Sequence, residues 1–113
     1  MPENPAPEYL TVPDLVELFG LTVGKVHRLV EDRHLAGMKV DGVFKVPALF
    51  VQDDEPLHSL RGTVLALEDA GFTNDEVVQW LLAENDELGE RPIDALRAGR
   101  KSAVRRATQS LAF

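Results

Sequence analysis

Two helix-start signals with a glycine stop between them confine the first part of this chain to two short helices and a tight turn. Thr11 is a favourable N-cap residue, and Asp14 stands where the reciprocal partner of a capping box is found. Gly20 supplies a left-handed helix stop, and Thr22 then caps a second helix. Because only Gly20 and Leu21 separate the two helices, they must cross steeply. The pattern predicts a helix-turn-helix.

Apolar residues recur at helical spacing in both segments, so each helix has one face for a core. In the first helix these residues are Val12, Leu15, Val16 and Phe19, and in the second they are Val23, Val26, Leu29 and Val30. Helices this short are stable only when such faces pack against other elements. All eight side chains are therefore predicted to point inward.

A small hairpin is predicted after the second helix. Residues 37–40 and 43–46 are β-like runs on either side of Asp41 and Gly42, the dipeptide preferred in a two-residue turn. A helix-turn-helix followed by a hairpin is a winged helix-turn-helix, which is an architecture that reads DNA.

The rest of the chain predicts further helices. After a polar loop at 52–56, helices begin at Ser59, Thr73 and Pro92, and a last helix covers about residues 101–111. The side chains expected to face inward in the first two of these are Leu60, Val64, Leu67, Val77, Trp80 and Leu81. The predicted fold class is mainly α: a winged helix-turn-helix with one small β-hairpin, followed by a C-terminal helical extension.

Three segments follow from this pattern. Residues 1–8 contain three prolines and two glutamates with nothing to bury, and they are predicted to be a disordered lead. Residues 9–51 form the winged helix-turn-helix unit. Residues 57–113 form a C-terminal helical domain packed on it.

The order of the residues resembles known families. LFGLT (18–22), VHRLVEDRHLAG (26–37) and KVDGVFKVP (39–47) resemble the excisionase-like and MerR-like winged helix-turn-helix proteins. Segments 58–82 and 91–113 resemble the C-terminal part of a small actinobacterial DNA-binding family, whose mycobacterial member is named for its role as a kinase substrate. The resemblance covers nearly all of the chain after its first few residues. It implies DNA binding, with the second helix as the recognition helix.

The net charge of −7 argues against nucleic-acid binding, because affinity for DNA depends largely on neutralising phosphates. The charge is nevertheless polarised along the chain. Residues 21–47 carry five Lys or Arg residues against three acids, and residues 97–106 carry five against none. This distribution is compatible with one basic face on an acidic protein.

The outward face of the second helix is the predicted DNA-reading surface. Thr22 lies at its N-terminus, where backbone N–H groups and the helix dipole favour a phosphate. Gly24 has no side chain and allows close approach to a groove, and His27 lies at the edge of the face. Lys25 and Arg28 are surface neighbours, and an arginine can bind guanine through two hydrogen bonds. The alternative is a merely solvated helix face.

The wing adds two further candidates, Lys39 and Lys45, at positions where similar proteins hold basic residues that touch the DNA backbone. A two-residue turn pairs Lys39 with Phe44 and Met38 with Lys45, so the two lysines point to opposite faces. We therefore expect only one of them to meet phosphate directly.

A second basic patch is formed in sequence by Arg100, Lys101, Arg105 and Arg106. It is either another phosphate contact or the solvated face of an exposed terminal helix, and the solvated face is favoured. The segment GERPIDALRAG also resembles, over a short stretch, the C-terminal domain of some antitoxins, which mediates protein contacts.

The leading hypothesis is a cytoplasmic, nucleoid-associated protein that binds double-stranded DNA, most simply as a transcriptional regulator. The alternative is a protein–protein adaptor that uses an acidic winged scaffold and the C-terminal helices to bind a partner. The chain has no cysteine, no glycine-rich phosphate loop and no metal-ligand spacing around its three histidines, so no enzyme, cofactor or metal is predicted. No apolar run is long enough to span a bilayer, and no signal peptide is recognisable.

Overall fold

In the computed structural model, which describes residues 8–111, the first helix begins and ends where the sequence indicates and the second helix begins where it indicates. α1 covers Val12–Phe19 and α2 covers Val23–Glu31. Thr11 and Asp14 form both hydrogen bonds of the capping box, at 2.9 and 3.2 Å. Gly20 ends α1 with a φ of 67°. The predicted two-residue turn is confirmed, because the Gly20 and Leu21 amides both donate to the Val16 carbonyl.

A three-stranded antiparallel sheet stands where the sequence predicts only a hairpin. Its strands are β1 (Tyr9–Thr11), β2 (Met38–Val40) and β3 (Val43–Pro47), in the order β1–β3–β2. The β2–β3 hairpin, which we call the wing, has the predicted register, with Lys39 opposite Phe44 and Met38 opposite Lys45. The sequence does not reveal β1 because three residues are too few to show an alternating pattern.

The predicted polar loop at 52–56 contains a second short hairpin. After a 3-10 turn at Ala48–Phe50, β4 (Val51–Gln52) pairs with β5 (Glu55–Pro56). Asp53 and Asp54 form the turn with φ of 56° and 60°. Aspartate tolerates this left-handed conformation better than most residues with a side chain, so the two acids make a tight turn without glycine.

Four helices complete the described chain: α3 (Leu60–Asp69), α4 (Asn74–Leu82), α5 (Pro92–Arg97) and α6 (Lys101–Gln109). The capping box predicted for α4 is present, with Thr73 and Glu76 joined by hydrogen bonds of 2.9 and 3.2 Å. Ser59 precedes α3 as predicted, but its side chain makes no capping hydrogen bond. The backbone of Ser59 is already helical, which turns the hydroxyl away from the first-turn amides.

One apolar cluster connects the N-terminal helices and wing to α3–α6. Its most deeply buried members include Leu15, Val26, Val46, Phe50, Leu60, Leu67, Val77, Leu81, Ile93 and Val104. Arg97 of α5 reinforces this connection, since its Nη1 donates to the carbonyls of Leu49 and Val51 at 2.9 and 2.6 Å. The C-terminal helices therefore brace the chain segment that follows the wing.

Two inward assignments differ from the structure. Val23 is 52% exposed, because it occupies the first helical position at the edge of the apolar stripe of α2. Trp80 is only partly buried, whereas Val78 is fully buried. α4 contacts both α3 and α5, so its buried face is broader than one stripe and is centred away from Trp80.

The predicted disordered lead lies outside the described residues, apart from Glu8. The Glu8 carbonyl accepts a hydrogen bond of 2.8 Å from the Ala48 amide, next to the pairing of β1 with β3.

Candidate nucleic-acid interface

α2 presents an open depression on the side turned away from the core. Its walls are Leu21, Thr22, Gly24, Lys25, Arg28, Leu29, Asp32 and His34. Four predicted contact residues, Thr22, Gly24, Lys25 and Arg28, therefore lie together on one surface. His27 is also exposed, but it lies outside these walls.

The N-terminus of α2 is accessible at this surface. The Thr22 hydroxyl accepts a hydrogen bond of 3.2 Å from the Lys25 amide, and the amides of Val23 and Gly24 precede the first bond within the helix. A Cβ added at Gly24 would meet no atom within 4 Å. The surface around Gly24 is therefore low and open, as close approach of another molecule requires.

Two polar residues on the walls of this depression, Asp32 and His34, are not among the contact residues predicted from the sequence. Arg33 has a φ of 68°, which turns the chain back so that the His34 amide donates to the Leu29 carbonyl at 2.9 Å. This reversal places Asp32 and His34 on the wall of the depression. Val23 is also exposed at the start of α2, but it does not line the depression. In the sequence, only the position of Asp32 at the end of the second helix could have indicated that it lies beside this surface.

The two wing lysines occupy different environments. Lys39 is exposed, whereas Lys45 is partly buried and lies opposite Thr11 of β1. Hydrogen bonds from Thr11, the backbone N–H first and then the side chain, hold the pKa of Asp14 below its ordinary value, and the charge of Lys45 lowers it further. Lys45 is therefore close to a carboxylate that offsets its charge, and Lys39 is the more available cation.

Ion pairs and carbonyl contacts occupy several of the other basic residues. Within residues 8–111, carboxylates pair with Arg33 (Glu68, 3.0 Å), Arg91 (Asp94, 2.7 Å) and Arg100 (Glu90). Arg97 binds two carbonyls. In the same part of the chain, the cations without a carboxylate within 4.0 Å that remain at the surface are Lys25, Arg28, Lys39, Lys45, Arg61, Lys101, Arg105 and Arg106.

The second basic patch of the sequence is divided in space. Lys101 and Arg105 line a groove between α3 and α6, together with His58 and Ser59. Arg100 points to Glu90 instead, and the exposed Arg106 is not among the residues of the groove. The structure thus brings together only two of the four residues.

The described residues offer neither a metal site nor a membrane-spanning helix. Between positions 8 and 111, no group of three or more His, Asp or Glu side chains is placed to hold a metal ion. None of the helices in that part of the chain is long and apolar enough to cross a bilayer.

Two family models match the chain. The model described as the winged helix-turn-helix domain of DNA-binding protein Rv2175c matches residues 4–51. The model described as the Rv2175c C-terminal domain of unknown function matches residues 57–112.

Several individual proteins are also similar to this chain. DNA-binding protein Rv2175c of Mycobacterium tuberculosis is 28% identical over 115 residues, which cover 90% of this chain and 79% of that protein. An excisionase of Streptomyces ambofaciens is 40% identical over 47 residues, or 42% of this chain and 76% of the excisionase. A manganese-exporting P-type ATPase of M. tuberculosis is 35% identical over 74 residues, which are 64% of this chain and 10% of the ATPase. The NMR structure of Rv2175c superposes with a TM-score of 0.86 at 27% identity, covering 98% of this chain and 85% of that one.

Proposed function

This chain belongs to the Rv2175c family of winged helix-turn-helix proteins, and we propose that it binds double-stranded DNA as a transcriptional regulator or nucleoid protein in the cytoplasm. In this proposal α2 enters the major groove and the wing lies beside it on the sugar–phosphate backbone. The observation that carries the proposal is the outward face of α2. There Lys25 and Arg28 lie beside Gly24, and no carboxylate of residues 8–111 is within 4.0 Å of either cation.

Base reading is assigned to Arg28 and Lys25. An arginine in the major groove makes two hydrogen bonds to guanine, and such a contact discriminates against the wrong base by about 1–3 kcal/mol. The open surface at Gly24 lets the helix backbone come near the base edges. Thr22 and the free amides at the start of α2 are suited to a phosphate next to the groove.

Backbone contact in the wing is assigned to Lys39. It is exposed, whereas Lys45 on the opposite face is partly buried near Asp14. A phosphate contact carries no sequence information, so Lys39 should contribute equally to all duplexes. Because a protein with a net charge of −7 makes few such contacts, we expect a salt dependence of about −3 to −5 on a log–log plot.

The first prediction separates reading from positioning. Arg28→Ala should weaken binding to the preferred duplex by about 1–3 kcal/mol and reduce the difference between preferred and random duplexes. Lys39→Ala should weaken binding to both duplexes alike and make the salt slope shallower by about one. Fluorescence anisotropy at several salt concentrations measures both quantities, after the preferred site has been obtained by selection from random duplexes.

Arg106→Ala is the control for loss of one exposed positive charge. If Arg28→Ala keeps the same preference between duplex sequences as the wild type, α2 is not the element that contacts the bases.

A second candidate is the adaptor function. A stretch similar to most of this chain occurs within a manganese-exporting P-type ATPase, and the acidic surface suits a basic protein partner. Amide NMR spectra with a random duplex at about 50 mM salt distinguish the two candidates. Shifts that include α2 and the wing support DNA binding, and unchanged resonances throughout residues 22–46 would favour the adaptor.

A further inference from the structure

The depression over α2 continues onto the C-terminal helices. Leu29 and His34 belong both to this depression and to a neighbouring one that reaches His58, Arg61 and Gly62 at the start of α3. His58 and Gly62 in turn also line the groove between α3 and α6. Adjacent concavities share wall residues, so the three adjoin one another and line the surface from α2 to the terminal helix.

Basic side chains follow this surface from end to end. We call it the basic track, and its members are Lys25, Arg28, His34, His58, Arg61, Lys101 and Arg105. The acidic residues that line the same three concavities are Asp32 and Glu55. Among the described residues, five Lys or Arg side chains and two carboxylates therefore line these concavities, in a protein whose net charge is −7. Such a reversal of sign on one side is the electrostatic footprint of a polyanion-binding surface.

The charges of the track remain available for a ligand. Arg61 donates its Nε to the Asp32 carbonyl at 2.8 Å, which holds the guanidinium at the junction of α2 and α3 without neutralising it. The contact between His58 and Glu55 is long, at 3.8 Å, and both side chains are largely exposed. For Lys101 and Arg105, no carboxylate of residues 8–111 lies within 4.0 Å.

The α3–α6 groove has the chemistry of a phosphate contact. Besides its basic residues it is lined by Ser59, Thr63, Thr108, Gly62 and Ala66. Among the described residues, no large apolar side chain lines this groove to anchor a peptide, and its hydroxyls and cations suit phosphate oxygens.

We propose that the basic track is a second DNA-contacting surface, through which α3 and α6 hold the phosphate backbone next to the segment read by α2. This inference rests on the proposed function, and it assigns a role in DNA binding to the C-terminal helices. The described chain measures 38 × 37 × 27 Å, and one turn of duplex DNA is about 34–36 Å long. A single molecule is thus large enough to place both surfaces on about one turn.

The sequence alone favours a merely solvated α6, since Arg100, Lys101, Arg105 and Arg106 are adjacent along the chain without any indication of a common surface. The structure separates them, with Lys101 and Arg105 on the track and Arg100 paired with Glu90. Arg106 offers a matched control, because it is an exposed arginine on the same helix that does not line the groove.

Arg105→Gln and Arg106→Gln test the proposal with the same change of charge. Arg105→Gln should bind every duplex about fivefold to tenfold more weakly at about 0.1 M salt, with a salt slope shallower by about 0.9, as expected for one lost phosphate contact. Its sequence preference should remain that of the wild type. Arg106→Gln should stay within about twofold of the wild type at the same salt concentration. Lys101→Gln repeats the test at an independent position of the groove.

Arg28→Ala is measured on the same duplexes, which separates this inference from the proposed function. The basic track would be overturned if Arg105→Gln and Lys101→Gln both keep the affinity and salt slope of the wild type while Arg28→Ala binds DNA more weakly. That result would leave DNA binding by α2 intact. An equal loss in Arg106→Gln would also overturn it, because the effect would then be one of net charge. Absence of binding by the wild type would overturn the proposed function itself.

Discussion

At Gly37 the chain passes so close to the wing that a side chain does not fit. A Cβ at this position would lie 2.5 Å from the Lys45 carbonyl oxygen and 2.6 Å from Cζ of Phe44. The carbonyl oxygen belongs to the middle strand of the sheet, which is paired on both sides and cannot easily move. The position of the wing relative to α2 thus depends on the absence of one methyl group.

Gly37→Ala should therefore reduce the free energy of unfolding by about 1–3 kcal/mol through overpacking. The control is Gly62→Ala in α3, where a Cβ would meet nothing within 4 Å. This variant should be more stable than the wild type by about 0.5–1 kcal/mol, because alanine is the better helix former. Urea unfolding measures both changes, and equal stability of the two variants would contradict the close approach at Gly37.

Among the features of the helices, their N-terminal ends depend most on residues that are close together in the sequence. α1 and α4 each begin with a complete capping box, formed by Thr11 with Asp14 and by Thr73 with Glu76. In α1 this arrangement has an electrostatic consequence, since the Thr11 hydrogen bonds and Lys45 lower the pKa of Asp14. A carboxyl group with a lowered pKa in the folded state stabilises the fold above its unfolded-state pKa, and this stabilisation disappears as the pH falls through the folded-state pKa.

Asp14→Asn should accordingly melt at a lower temperature than the wild type at pH 7. The difference should shrink as the pH is lowered from about 5, because acid protonates the wild-type carboxylate and removes the same interactions. Thermal melts at a series of pH values check this expectation. Asp75→Asn, which changes an exposed acid in the first turn of α4, is the matched control for loss of charge. If the difference in melting temperature between Asp14→Asn and the wild type stays constant down to about pH 2, the Asp14 carboxylate does not stabilise the fold in this way.

For the whole molecule, the shared core and the Arg97 contacts indicate one folding unit. The buried cluster includes Val26 of α2 and Val104 of the terminal helix. Arg97 joins α5 to carbonyls that precede it by more than forty residues. The C-terminal helices therefore hold the winged unit and the basic track in one arrangement.

We expect both parts to unfold in a single urea transition. Trp80 fluorescence reports on the C-terminal helices, the Val26 amide resonance reports on α2, and their midpoints should coincide. Arg97→Ala should lower stability by about 1.5–3 kcal/mol, because hydrogen bonds from a charged donor are lost. Both midpoints should shift together, whereas Arg106→Ala should shift neither. Separate midpoints in the wild type would show two independent domains.

Much of the fold follows from short-range signals in the sequence. The helix bounds at Thr11, Gly20, Thr22 and Thr73 are predictable because a cap and its partner amide lie within a few residues of each other. The wing register is predictable because the Asp41–Gly42 turn leaves one pairing of the flanking strands. The outward position of Lys25 and Arg28 follows from helical periodicity alone.

Contacts between distant segments were decided only by the tertiary structure. β1 pairs with a strand more than thirty residues away in the sequence, and no pattern within Tyr9–Thr11 predicts this pairing. Helical periodicity predicted Trp80 to face inward and did not select Val78, but the packing of α3 and α5 against α4 buries Val78 and leaves Trp80 only partly buried. The clearest case is the terminal helix, where the neighbours Arg105 and Arg106 have equal charge. Only the packing of α6 against α3 places Arg105 beside His58 and leaves Arg106 outside the groove. Charge is a property of the sequence, but the grouping of charges on one surface depends on how the helices pack.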